Sequence, residues 1–156
     1  MAFWDTSALI KLYVPERDSD RLREVMRTSA SLPTISQFSL AEMFRALWAK
    51  EFARSIPVNR AEATYLEFRE DLEAASIQVI PFGGDVQSEF DRILPLCYRA
   101  RPVVPIRTLD GLLLASALSS RVSELVSTDS RMRQAATLLG LHVLPEQPNE
   151  QIRERR

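Results

Sequence analysis

The chain has 156 residues, of which 46% are hydrophobic and 26% charged, and its net charge is −1. That is the size of one domain around one core, with the balance of an ordinary globular protein. It excludes a nucleic-acid binder that works through bulk positive charge, so any such role must rest on local basic groups.

Ala2–Trp4 reads as a short strand that stops at Asp5, and Thr6–Tyr13 as a helix closed by Val14-Pro15. Asp18–Thr28 is an amphipathic helix with Leu22, Val25 and Met26 on one side. Leu32–Ser36 is a second short strand, and Ser39–Ala53 a helix with Leu40, Met43, Phe44, Leu47 and Trp48 on its core face. Asn59 is placed to cap a helix running to about Ala75, with Tyr65, Phe68 and Leu72 inward. Ile77–Pro81 is a third strand, bounded by Phe82-Gly83-Gly84, and a helix follows from Asp85 to about Arg99. After an Arg- and Pro-rich loop, Thr108 caps a very apolar helix over Leu109–Leu118. Glu124–Ser127 is a fourth strand, Ser130–Leu139 a helix ended by Gly140, and Leu141–Leu144 a fifth strand. A domain over 1–144 is followed by a polar tail over 145–156. Strands alternating with helices predict an α/β fold: a mainly parallel twisted sheet of about five strands with helices on both faces.

Cys97 is the only cysteine and lies in an apolar run, which predicts a buried, inert thiol and fits a reducing compartment. With one cysteine and one histidine (His142), the chain cannot build a zinc site of the usual ligand types. The N-terminus lacks a basic region before Ala2-Phe3-Trp4, and no apolar run approaches the roughly 20 residues needed to cross a bilayer. The expectation is a cytoplasmic protein that does not enter membranes.

In open parallel sheets, function collects at the C-terminal ends of the strands. Asp5 follows the first strand and Asp129 the fourth, while Glu42 and Asp110 lie in the first turns of two helices. Structural readings compete with a functional one. Asp5 and Asp129 are placed as helix N-caps, and Ser39-Leu40-Ala41-Glu42 matches a capping box. Asp110 is harder to explain, because helical spacing puts it on a face with Leu113, Leu114 and Ala117. An unpaired carboxylate there costs several kcal/mol, whereas a helix dipole returns only about 1 kcal/mol. A divalent cation would balance such a cluster. Mg²⁺ and Mn²⁺ favour oxygen ligands and support phosphodiester hydrolysis without His or Cys.

These residues resemble a known family. Asp5-Thr6-Ser7-Ala8-Leu9 with Tyr13-Val14-Pro15-Glu16 resembles the first motif of PIN-domain proteins of the VapC toxin type. Ser39-Leu40-Ala41-Glu42 resembles the second, Leu109-Asp110-Gly111-Leu112-Leu113-Leu114-Ala115 the third, and Val126-Ser127-Thr128-Asp129-Ser130-Arg131 the fourth. Gly111 stands where alanine is common and Ser127 where threonine is common. The resemblance implies that Asp5, Glu42, Asp110 and Asp129 hold one or two Mg²⁺ or Mn²⁺ ions and carry catalysis. It implies that Ser127 orients the carboxylates by hydrogen bonding, and that Thr6 and Ser7 either share that role or open the first helix, the simpler reading. It further implies an endoribonuclease, a homodimer, and the toxin half of a toxin–antitoxin pair neutralised by a cognate antitoxin.

An acidic centre that takes RNA needs basic residues at its rim. Lys11, Arg45, Arg101 and Arg107 are the candidates, against the plainer reading of solvated surface charge. The helices Asp18–Thr28 and Glu62–Ala75 are candidates for a projecting pair that grips the antitoxin, lined by Phe52, Tyr65 and Phe68, although core packing accounts for those aromatics equally. Rival readings are weaker. A phosphatase with an Asp nucleophile wants a second acid where Ser7 stands, and a receiver-type domain wants a late lysine, whereas none follows Lys50. A PIN-like module without catalysis, holding RNA or a partner, and a DNA-directed nuclease of the same fold remain as alternatives.

Overall fold

The computed structural model describes residues 1–147, so most of the tail over 145–156 lies outside the described residues. Five strands form one sheet: β1 (Ala2–Trp4), β2 (Thr34–Ser36), β3 (Gln78–Ile80), β4 (Glu124–Val126) and β5 (His142–Leu144). The order is β3-β2-β1-β4-β5 and every pairing is parallel. The expected α/β sheet is therefore observed, and it is parallel throughout. The chain builds outward from β1 to β2 and β3, then returns to the other side of β1 for β4 and β5. The reversal opens a crevice beyond the C-terminal ends of β1 and β4, the place where open α/β sheets take ligands.

Side chains alternate across each strand, so the two faces feed separate cores. Ala2, Trp4, Ile35 and Val126 point to one face. There they meet α1 (Thr6–Tyr13), α2 (Ser19–Thr28), α3 (Gln37–Phe52) and α4 (Arg60–Glu73) through Leu9, Leu22, Met43, Leu47 and Phe68. Phe3, Leu125 and Val143 point the other way. They meet α5 (Gly84–Arg99), α6 (Thr108–Ser119) and α7 (Ser130–Leu138) through Ile93, Leu113, Leu114 and Met132. Cys97 is buried in this second core, and burial pushes its thiol pKa up, as expected for an inert cysteine. Among the described residues no helix is long and apolar enough to cross a membrane.

Three local readings change. First, α3 begins at Gln37, two residues before Ser39, and its N-cap is Ser36, whose hydroxyl accepts from Phe38 N. The Ser39–Glu42 capping box does not form, and Glu42 falls in the second turn. The buried stripe of the helix is also narrower than expected: Met43 and Leu47 are fully buried, but Phe44 and Trp48 stay 42% and 45% exposed. Phe44 packs against Trp48 and against Tyr65 of α4 instead of entering the core.

Second, Asn59 precedes α4 with a positive φ of 65° and makes no side-chain cap. Glu51 at the end of α3 takes over that role, its Oε2 accepting the Ala61 N–H at 2.8 Å. The helices that pack as a pair are thus α3 and α4, while α2 lies against α1. Of the three aromatics expected on it, Phe68 is buried, Tyr65 is half-buried and Phe52 is 93% exposed.

Third, the N-cap of α6 is Arg107, and Thr108 is its first helical residue. Gly111 in its first turn faces the Phe90 ring closely. A Cβ there would lie 2.7 Å from Cε2 of Phe90 on α5. The turn after α7 follows expectation: Gly140 adopts φ 85°, and Leu141 N closes back onto Ala136 O at 2.9 Å.

Candidate active site

The geometry at the β1–β4 crevice starts from two adjacent strand ends. Asp5 N still pairs with Val126 O at 2.9 Å, so the first residue past β1 is held by the ladder. The Asp5 side chain is buried and makes no N-terminal cap to α1. Its Oδ2 accepts instead from Ser7 Oγ at 2.5 Å and Ser127 Oγ at 2.8 Å. Ser7 in turn accepts Thr128 N at 3.1 Å, and Thr128 Oγ1 donates to Ser7 O at 3.1 Å. The loop after β1 and the loop after β4 are therefore stitched together by hydroxyls. Ser7, in the first turn of α1, thus also hydrogen-bonds an acid, the contact that the alternative reading of that residue asked for.

Asp129 keeps the capping role that its position suggested. Its Oδ1 accepts Arg131 N at 2.9 Å and Met132 N at 3.0 Å, and its own N–H donates to Ser127 Oγ at 3.1 Å. Asp110 sits in the first turn of α6, buried, with Oδ2 accepting from the backbone N and from Nε of Arg107, both at 3.2 Å. Glu42 reaches in from α3. Its Oε2 is buried with no hydrogen-bond partner, as is Thr6 Oγ1.

The four acids share one electrostatic neighbourhood. Burial pushes the Asp5 carboxyl above its ordinary range, the Ser7 and Ser127 hydroxyls pull it back, and the charges of Asp129 and Asp110 raise it further. Burial likewise raises Glu42; the nearby Thr6 hydroxyl opposes this, Asp5 and Asp110 add to it, and Arg45 lowers it. The N-terminus of α6, which topology alone did not place, thus lies at the same edge as the strand ends.

Chemically this is an oxygen-only donor set with one carboxylate oxygen left buried and unsatisfied, which suits a hard divalent cation. Among the described residues no three acidic, His or Cys side chains already stand close enough to hold one ion together.

Of the basic candidates, Arg45 and Arg107 stand at the acid cluster and are exposed. Lys11 is committed to Asp18 at 2.8 Å and Glu16 at 3.6 Å, with its side chain only 14% exposed. Arg101 donates to the carbonyls of Arg99 and Ala100. Neither joins the acids. One residue went unread in the sequence: Arg133, buried, whose Nη1 donates to Ser127 O at 2.9 Å and Leu144 O at 3.2 Å. Ser127 N also pairs with Leu144 O at 3.0 Å, so the acid-bearing loop after β4 is braced from β5. Nothing in the spacing of Arg133 distinguishes it from the surface arginines around it.

The family model for the PIN domain matches residues 2–138. The chain belongs to the PIN-domain family. Ribonuclease VapC46 of Mycobacterium tuberculosis is 34% identical over 146 residues, covering 91% of this chain and 95% of that protein. Two solved PIN-fold structures show the same architecture at lower identity. VapC20 of M. tuberculosis, a toxin described as cleaving the sarcin–ricin loop, superposes with a TM-score of 0.64 at 14% identity, over 86% of this chain and 95% of that one. VapBC2 of Rickettsia felis, bound to a promoter DNA fragment, gives 0.63 at 13% identity over 91% and 96%.

Proposed function

We propose that this PIN domain, over residues 1–144, is a metal-dependent endoribonuclease and the toxin of a toxin–antitoxin pair. The observation that carries the reading is that Asp5, Glu42, Asp110 and Asp129 lie at one sheet edge, where Asp110 and Asp129 act on Asp5, and Asp5 and Asp110 act on Glu42, with Glu42 Oε2 buried and unsatisfied. A ribonuclease relative at 34% identity over nearly the whole chain supports it.

On this reading the four acids hold one or two Mg²⁺ or Mn²⁺ ions. Such an ion, when bound, would supply the Lewis acidity that phosphodiester hydrolysis needs at neutral pH. The chain's own residues do the rest. Ser7 and Ser127 fix the Asp5 carboxylate by donating to one of its oxygens, which leaves the other free to bind. Backbone N–H groups at the start of α7 fix Asp129 in the same way. Arg45 and Arg107 offer positive charge at the rim to a phosphodiester that an acidic centre would otherwise repel.

The antitoxin's place on this reading is the α3–α4 pair. Phe44, Trp48, Phe52, Val58 and Leu66 are all exposed there, more apolar surface than two helices in water ordinarily leave uncovered. Solved complexes of the same fold with antitoxins support a protein partner. The partners are completed by a second copy of the chain in a homodimer, and the setting is the cytoplasm.

The test is cleavage of structured and single-stranded RNA by the purified chain, with Mn²⁺ and with EDTA. Asp5→Asn and Asp110→Asn are each expected to reduce cleavage at least 100-fold, in line with the loss of a catalytic ligand. Variants that cut as well as the parent remove the site assignment. Equal cleavage of DNA favours a nuclease without sugar preference.

A further inference from the structure

Arg107 is bonded to Asp110 in a way that separates two jobs. Its backbone N–H and its guanidinium Nε both donate to the same Oδ2 of Asp110, each at 3.2 Å. The backbone donor belongs to the helix start and cannot leave without unwinding α6. The side-chain donor is different: it is 67% exposed, whereas the Asp110 side chain is 11% exposed. It makes one Nε contact rather than the two-pronged fork that holds an arginine firmly on a carboxylate. The charge of Arg107 also reaches Asp129 and Glu42, so it neutralises the cluster and not one acid alone.

From this geometry we infer that the Arg107 side chain is an exchangeable counter-ion, seated on Asp110 while no divalent cation is bound and displaced when one binds. The inference rests on the metal-dependent reading above and adds a competitor to it. Clustered carboxylates need a positive charge whether or not metal is present. An internal arginine supplies it, so the cluster survives in the metal-free protein. The backbone N–H then keeps Asp110 oriented after the guanidinium swings away, so displacement costs a charge contact but not the alignment of the acid. Metal affinity is set partly by the protein itself, because each ion that binds must first evict Arg107.

Calorimetric titration of the EDTA-stripped full chain with MnCl₂ tests this, on the parent, Arg107→Gln and Arg107→Lys. The glutamine variant is expected to bind Mn²⁺ roughly fivefold more tightly, the scale of one exposed ion pair removed from competition. The lysine variant is expected to stay close to the parent. Melting in EDTA gives the opposite sign: the glutamine variant melts below the parent, and saturating Mn²⁺ closes the gap. Displacement is read directly from the Arg107 Nε–H resonance, which moves toward its solvent-exposed position as diamagnetic Mg²⁺ is added. Equal or weaker Mn²⁺ affinity in the glutamine variant, or an Nε–H signal that Mg²⁺ leaves in place, overturns the inference while leaving the metal site intact. A parent that takes up no Mn²⁺ removes both readings together.

Discussion

The Ser127 hydroxyl donates to Asp5 Oδ2 at 2.8 Å while accepting the Asp129 N–H at 3.1 Å. One side-chain oxygen thereby fixes acids that lie 124 positions apart in sequence, at the ends of two neighbouring strands. Replacing it with alanine leaves a buried Asp5 oxygen with only Ser7, and frees the backbone at Asp129. Ser127→Ala is expected to lower kcat about 10- to 100-fold, the scale for losing a residue that orients a metal ligand. Ser127→Thr keeps the hydroxyl and is expected to restore most of it. A steady-state comparison of the three proteins decides it; unchanged kcat in the alanine variant refutes the orienting role.

The acids make the metal-free protein sensitive to pH in a definite direction. Asp5 has a folded pKa raised above its ordinary 3.8, mainly by burial, and Glu42 is raised above 4.5 for the same first reason. A carboxyl with a raised folded pKa holds its proton more tightly in the folded chain than in the unfolded one. Below the unfolded value it costs nothing; as pH rises past that value, folded stability declines until the folded pKa is passed, and the loss is then complete. In EDTA, these two groups are therefore expected to lower the melting temperature as pH rises above about 4, up to their raised folded values. Asp5→Asn, which keeps an acceptor for Ser7 and Ser127, is expected to flatten that slope and to melt above the parent at pH 7. Thermal melts across pH provide the check. A variant that melts below the parent at pH 7 in EDTA contradicts the burial argument.

Gly111 offers a test of packing rather than chemistry. Glycine to alanine inside a helix ordinarily stabilises by about 1 kcal/mol. Here the added Cβ meets the Phe90 ring at 2.7 Å, and overpacking of that kind costs about 1–3 kcal/mol. Gly111→Ala is thus expected to be neutral to destabilising, and the double variant Gly111→Ala with Phe90→Leu to recover the helix gain. Urea denaturation measures both. Simple stabilisation by the alanine alone shows that the ring yields freely.

Arg133 is a buried cation serving two carbonyls, Ser127 O and Leu144 O. Arg133→Met fills similar volume but withdraws the donors, and hydrogen bonds from a charged group contribute roughly 1.5–3 kcal/mol each. A loss of roughly 2–4 kcal/mol is expected on denaturation. An unaltered midpoint would show that Arg133 braces nothing.

Much of this architecture was legible before any coordinates. All five strands and all seven helices stand where hydrophobic periodicity and turn residues put them, to within a residue or two. Asp110 stood out because a carboxylate beside Leu113 and Leu114 had no cheap structural excuse, whereas Asp5, Glu42 and Asp129 each had a capping explanation and were singled out by their resemblance to family motifs. What the periodicity could not show was phase. Ser36 outcompeted Ser39 as the cap of α3, which lifted Glu42 out of a capping box, and the inward face of α3 runs through Met43 and Leu47 and leaves Phe44 and Trp48 outside. Nor could spacing reveal partners across the sheet. Ser7 meeting Thr128, Arg133 meeting Leu144, and Lys11 consumed by Glu16 and Asp18 all depend on tertiary neighbours.

The brace from β5 has a consequence for how the protein is made. Leu144 accepts from both Ser127 N and Arg133, so the loop bearing Ser127 and Asp129, already tied to the β1 loop, gains its second anchor only when the fifth strand joins the sheet. A nascent chain leaves the ribosome N-terminus first, with Asp5 and Glu42 already outside while Leu144 is still being threaded. The acid centre is therefore fully braced only after Leu144 has emerged, and a nascent chain that has not yet released β5 holds the four acids without that support.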